Sequence, residues 1–341
     1  MAKLYSREMS KKDLLRRVGD LEQIAGVRSY VRTEGKAEGV RAVEVRTGGG
    51  LCYTVLPGRA LDISTCEFQG IPIGFLSKSG VTAAPYFSPD REPWGGSFGG
   101  GMVTTCGLTN VGVCPDYKGE KMATHGDIAN IPAKLVGTFE EWEGDELKMG
   151  VRGKVRQARM YREELELSRE IVSYLGENKI LIRDSVENLG AERQPFMLLY
   201  HINFGFPMVS GDTVFEANVN RTIPADADPT DTETYARYWE PGEDGNHHCV
   251  HHDLIPDGEG YVSASLVNRA LGVKVTVRYK KAQLKNLTHW KLLAEGDYVT
   301  ALEPCNCFGK GTAGEEQNGT LEYLDPYEKR EFEVELSFER I

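Results

Sequence analysis

Along most of this 341-residue chain, hydrophobic residues recur at every second position. In LGVKVTVRY, Leu271, Val273, Val275, Val277 and Tyr279 fall on one side, with Gly272, Lys274, Thr276 and Arg278 on the other. Near the end, FEVELSF sets Phe332, Val334, Leu336 and Phe338 against Glu333, Glu335 and Ser337. The same alternation runs through YVSASLV (261–267), LELSREIVSYL (165–175) and KILIRDSVENL (179–189). Side chains of a strand point alternately to its two faces, so this period predicts half-buried strands in antiparallel sheets. One short helix is expected near the start. Ser10 and Asp13 have the spacing of a capping pair, and Leu14, Leu15, Val18 and Leu21 repeat at helical intervals. Strands do not alternate with amphipathic helices, which argues against a doubly wound α/β sheet. The pattern predicts a mainly β protein, a large antiparallel β-sandwich. With no Pro- or Ser-rich linker and no fixed-period repeat, residues 1–341 read as one domain. The polar, Asp- and Pro-rich stretch 211–248 reads as long loops.

Composition narrows the function. A net charge of −11 and a pI near 5.3 argue against a general nucleic-acid or anionic-membrane binder. The N-terminal MAKLYSREMSKKDLLRRVGD lacks the apolar core of a signal peptide, and no window is apolar enough for a membrane-spanning helix. Seven scattered cysteines, an odd number, point to reduced thiols in a cytoplasmic protein.

Candidate chemistry centres on a few polar residues in apolar settings. In YVTALEPCNC, Glu303 shares a strand face with Val299 and Ala301 just before a proline. A buried carboxylate is costly unless it is paired or kept for chemistry. In FMLLYHINFGF, both faces around His201 are apolar, so it reads either as a satisfied core histidine or as a proton carrier. His125, before Gly126 and Asp127, occupies a turn-like position open to a ligand. The glycine-rich WGGSFGGGMVTTCGLTNVG (94–112) matches neither a phosphate loop nor a dinucleotide fingerprint, and reads as close backbone packing. In NHHCVHHD, His248, His252 and Asp253 reach a metal in some geometries, although a polar loop with one functional histidine is the favoured reading. Cys305 and Cys307 lack a partner pair for zinc. A glutamate and histidines without a nucleophile elbow suit proton transfer.

The segments VRAVEVRTGGGLCYTVLPGRALDIS, FGGGMVTTCGLTNVG, HGDIANIP, HHDL and WKLLAEGDYVTALEPCNC together resemble the galactose mutarotase-like superfamily. The likeness is nearest to its aldose 1-epimerase-like, DUF4432-type branch, over almost the full length. The resemblance implies a β-sandwich and an acid–base isomerase of sugars that needs no metal, nucleotide or other cofactor. It implies Glu303 as general base, His201 as acid and His125 as a ligand of the ring oxygen. It also implies Arg59 and Asn110 as contacts to sugar hydroxyls, with His252, Lys291 and Trp290 around the same substrate. Arg59 and Lys291 suit either sugar oxygens or an acidic substituent. The arginine-rich stretch of sugar mutarotases is replaced here by TTCGLTNVG, which leaves the sugar open. The expected partner is a small-molecule carbohydrate, with a homodimer left open. Two alternatives stand beside this reading: a carbohydrate-binding protein without turnover, and an epimerase, isomerase or lyase acting on a modified sugar.

Overall fold

The computed structural model describes residues 1–87, 93–225, 231–242 and 247–341. Alternating strands assemble into two large antiparallel sheets. The eight-stranded sheet runs Thr213–Ala217, Tyr261–Asn268, Val273–Lys280, Lys329–Arg340, Lys179–Asn188, Glu164–Tyr174, Glu146–Ala158 and Lys134–Glu143. The twelve-stranded sheet has a ten-strand path, from Val219–Pro224 through His247–Leu254, Asn286–Ala294, Asp297–Cys305, Gln194–Gly205, Val103–Leu108, Asp62–Phe68, Leu51–Leu56 and Arg41–Arg46 to Gly26–Val31. Glu322–Leu324 and Ile71–Pro72 pair beside it.

Each strand's alternation decides which side meets the other sheet. Phe332, Val334, Leu336 and Phe338 are buried, while the intervening Glu333, Glu335 and Ser337 stay partly exposed. They pack with Tyr53, Val55, Tyr200, Ile202 and Phe204 of the larger sheet in one apolar core. The expected helix is present but short, spanning Lys11–Leu15. Ser10 caps it by accepting from the Asp13 N–H at 3.1 Å, and Leu14 alone is buried. Leu21 falls instead in a separate 3-10 turn, Leu21–Gln23.

The stretch 211–248 differs from expectation. It contributes the edge strands Thr213–Ala217 and Val219–Pro224, one to each sheet, with only Asn218 between them. Edge strands expose one row of backbone groups and tolerate polar side chains, so their sequence resembles loops. Residues 226–230 and 243–246 of that stretch lie outside the described residues.

One polar cluster crosses the apolar core. Arg169, on the smaller sheet, is fully enclosed and forks onto Asp184 of the neighbouring strand, with Nη2 donating to Oδ2 at 2.6 Å and Nε to Oδ1 at 2.9 Å. Its Nη1 reaches the larger sheet, donating to Asp62 Oδ1 at 3.1 Å, Thr105 Oγ1 at 2.8 Å and the Ala60 carbonyl at 3.2 Å. Tyr200 closes the cluster by donating to Asp184 Oδ2 at 2.7 Å. Removing one member of a buried, hydrogen-bonded ion group strands the others without water. We expect Arg169→Met to lower unfolding free energy by about 3–5 kcal/mol in urea titrations. Tyr200→Phe should cost about 1.5–3 kcal/mol, the range for a hydrogen bond to a charged group. An Arg169→Met protein as stable as the parent would contradict the pinning role.

Candidate active site

The strands Gln194–Gly205 and Asp297–Cys305 are antiparallel neighbours, with Ile202 facing Leu302 and Leu199 facing Cys305. This register sets His201 beside Glu303, and directly opposed residues share a face. His201 Nε2 lies 3.1 Å from Glu303 Oε1. The polar row continues across the sheet. Thr104 lies opposite His201, Thr288 opposite Glu303, and His251 opposite Thr288. His251 Nδ1 and Thr288 Oγ1 are 2.9 Å apart. Trp290, two residues after Thr288 and so on the same face, meets the His201 ring edge-on at 5.7 Å between centroids. Phe98 does so from another side at 5.4 Å.

His125 enters from a turn clamped to the sheet. Its N–H donates to the Gly112 carbonyl at 3.1 Å and its carbonyl accepts from the Gly107 N–H at 3.0 Å. Its backbone is left-handed, φ 59°, an uncommon conformation for a residue with a side chain. Gly126 follows at φ 75°, where an added Cβ would stand 2.0 Å from the Gly107 carbonyl oxygen. The turn therefore requires glycine at position 126. The His125 ring lies 6.0 Å from that of His201, nearly perpendicular to it.

The electrostatics of the three groups follow from enclosure. Burial, reinforced by His125, lowers the His201 imidazole to about 3. Burial takes His125 to about 4. Burial, with Cys305 alongside, pushes Glu303 well above the usual carboxylate range. A raised carboxyl in contact with a lowered imidazole favours the proton on the carboxyl, with both groups uncharged.

Other expected site residues lie elsewhere. Lys291 pairs with Thr300 and His252 with Leu287, one residue out of step with the Glu303 row, so both point through the opposite face of the sheet. There the Lys291 ammonium donates to the carbonyls of Thr234, Tyr235 and Arg237 at 3.1–3.3 Å. His252 bonds Thr222 Oγ1 at 2.9 Å and stacks on Phe215 of the smaller sheet. Asn110 is fully buried and saturated. It donates to the carbonyls of Gly112 and Ala123 and accepts from Thr312, fixing the start of the helix Gly311–Asn318. Asp253 alternates with His252 onto the other face, where Lys281 and Asn220 bind it. Among the described residues no three metal-ligating side chains come together. His251 and Thr288, absent from the expected set, do lie on the Glu303 face. In HHDL, only the pairing register separates the two central histidines.

Arg59 and His125 line one small cavity of about 10 Å³, with Phe98, Thr104, Cys106 and Asn130. A roomier hollow of about 590 Å³ lies on the smaller sheet. Its charges pair across strands, as in Arg152 opposite Glu170, Glu170 opposite Arg183, and Arg183 opposite Glu333. Among the described residues no histidine lines it.

Residues 37–338 match the family described as a domain of unknown function (DUF4432). No curated protein matches the chain. Among solved structures, it is similar to a candidate aldose 1-epimerase from Klebsiella pneumoniae subsp. pneumoniae MGH 78578, at 22% identity and a TM-score of 0.86, over 92% of this chain and 83% of that one. It is also similar to a galactose mutarotase-like protein from Clostridium acetobutylicum, at 14% identity and TM-score 0.66, over 94% and 100% of the two chains. A galactose 1-epimerase from Lactobacillus acidophilus NCFM aligns at 12% identity and TM-score 0.60, over 93% and 99%. At these identities the shared property is the galactose mutarotase-like fold.

The protonation states give stability an opposed pH dependence. Between about pH 3 and 6.5 the unfolded chain binds a proton that folded His201 refuses, so stability rises with pH through that window. Above 4.5 the folded state keeps the Glu303 proton that the unfolded chain has lost, so this group lowers stability as pH rises toward its folded pKa. Beyond pH 6.5 only the second slope remains from the pair. Urea titrations from pH 5 to 9 should therefore show a steeper alkaline loss in the wild type than in Glu303→Gln; parallel curves would contradict a buried protonated Glu303.

Proposed function

Because the chain belongs to the DUF4432 family and carries a galactose mutarotase-like fold, we propose that it is an aldose 1-epimerase-like enzyme, interconverting the anomers of a sugar through Glu303 and His201. The observation that carries this reading is the 3.1 Å contact between a carboxyl and an imidazole whose affinities for the shared proton are driven in opposite directions. At rest the proton favours Glu303, so the proposed roles require its transfer to His201 when a sugar binds.

One proton serves both groups. Resting on the carboxyl, it leaves the pair neutral; moved to His201 Nε2, it creates a carboxylate base beside an imidazolium acid. Sugar hydroxyls that hydrogen-bond the charged form favour that transfer. Glu303 then takes the proton of the anomeric hydroxyl as His201 gives its proton to the ring oxygen. The C1–O5 bond breaks, C1 becomes a carbonyl, and the pair is neutral again. After rotation about C1–C2 the same transfers run backwards: the ring oxygen returns its proton to His201 while attacking C1, and Glu303 protonates the new anomeric oxygen. Protons balance over the cycle. His125, 6.0 Å from His201 between ring centroids and neutral, supplies a hydrogen-bonding group near the ring oxygen. Trp290 offers an aromatic surface to the C–H side of a pyranose.

The 10 Å³ cavity beside His125 has room for about one water, so this reading requires the site to open when a sugar binds. Exchange NMR on equilibrated sugars should show cross-peaks between anomers that depend on protein. In Glu303→Gln or His201→Asn the exchange rate should fall on the order of a hundred-fold or more, the usual contribution of a positioned acid or base. Wild-type rates in Glu303→Gln would refute the assignment. Binding of sugars without any exchange would make the pocket a carbohydrate-binding site instead.

A further inference from the structure

Two buried arginines in this protein are treated differently. Arg169 is matched by two carboxylates, Asp184 and Asp62. Arg59, only 9% exposed, makes hydrogen bonds to neutral groups alone: Nη1 donates to the carbonyl and hydroxyl of Thr82 at 3.3 and 3.4 Å, and Nη2 to the Ser97 carbonyl at 3.0 Å. Among the described residues no carboxylate stands within ion-pair distance of it. Asp62, which shares a cavity with it, is engaged by Arg169 and by the backbone and hydroxyl of Thr105. A buried guanidinium with no carboxylate in ion-pair contact among the described residues is expensive to keep, and burial depresses its pKa, an effect only partly offset by the charge of Asp62.

The spaces around Arg59 suggest what the missing anion is. It lines the cavity shared with His125, Phe98 and Thr104, the last lying opposite His201 in the sheet. In the same cavity, the buried Oδ1 of Asn130 has no hydrogen-bond partner, an acceptor waiting for a donor. Arg59 also lines an outer cavity of about 200 Å³ together with Arg41, and no acidic residue among the described ones lines that cavity. In a chain of net charge −11, a hollow whose described lining carries two arginines and no carboxylate is a local reversal of sign.

We propose that the substrate is a pyranose bearing an anionic substituent, with Arg59 holding the anion and Asn130 accepting from a neighbouring hydroxyl while the anomeric carbon faces Glu303 and His201. The proposal rests on the mutarotase-like reading and adds the substrate class to it. A guanidinium fork suits a carboxylate or a phosphate, so uronic acids and sugar phosphates share the required chemistry.

The test measures binding and anomer exchange separately, by saturation-transfer and exchange NMR, on the wild-type protein. The panel is D-glucuronate, D-galacturonate, D-glucose 6-phosphate, D-glucose and D-galactose. At least one anionic sugar should bind ten-fold or more tightly than its neutral parent, and the uronate and phosphate arms identify the anion. Arg59→Gln, checked for folding by circular dichroism, should bring that preference to near unity, with Arg59→Lys retaining part of it. Equal binding of neutral and anionic sugars by the wild type would overturn the proposal, whatever the variant does. Tight anion binding without anomer exchange would sink the enzymatic reading and leave the anion site standing. Exchange of neutral sugars at equal efficiency would do the reverse, and failure of every sugar to bind would overturn both.

Discussion

The structure depends on one buried ion cluster that ties two sheets together at a fixed register. Arg169 and Asp184 come from the smaller sheet; Asp62, Thr105 and Tyr200 come from the larger. Apolar packing between sheets has little directional preference, whereas a guanidinium with five donors accepts few positions. Two anchored residues sit next to site residues: Tyr200 precedes His201, and Thr105 follows Thr104. The inner faces of the two strands are thus held from below while their outer faces present the polar row. Stability and site geometry share the same strands.

Alternation then separates two populations of polar residues. On one face of the larger sheet lie Thr104, His201, Glu303, Thr288 and His251, with Trp290 one step along. On the other lie His252, Lys291 and His289, closed in by Tyr238 and Phe215. The inner group is spent on structure: Lys291 holds the carbonyls of Thr234, Tyr235 and Arg237, and the histidines bond each other and nearby hydroxyls. The outer group contains the one acid–base contact of opposed affinities. Similar residues a single step apart in sequence therefore do different work.

This explains how much was legible in the sequence. Period-two alternation carries the sandwich, and its burial pattern in Phe332, Val334, Leu336 and Phe338 is as expected. His201 and Glu303 stand out as polar residues in apolar strands, and they do meet. The roles of His251 and His252, or of Trp290 and Lys291, turn on pairing register, which is set by distant strands. Asn110 was expected as a sugar contact from the family resemblance, yet its side chain is consumed by the turn it stabilises. The ion cluster did leave a trace. Arg169 follows Leu165 and Leu167 on the apolar parity of its strand, and Asp184 follows Ile180 and Ile182 on that of the next. Charges on the buried face of adjacent strands are a signal of pairing.

The most direct test is a crystal structure of the protein soaked in an equilibrated sugar that it binds. The anomeric oxygen should lie within hydrogen-bond reach, about 2.6–3.2 Å, of the Glu303 carboxyl, with the ring oxygen similarly placed at His201 Nε2. A sugar seated on the smaller sheet, or bound with its anomeric carbon turned away from both side chains, would contradict the account.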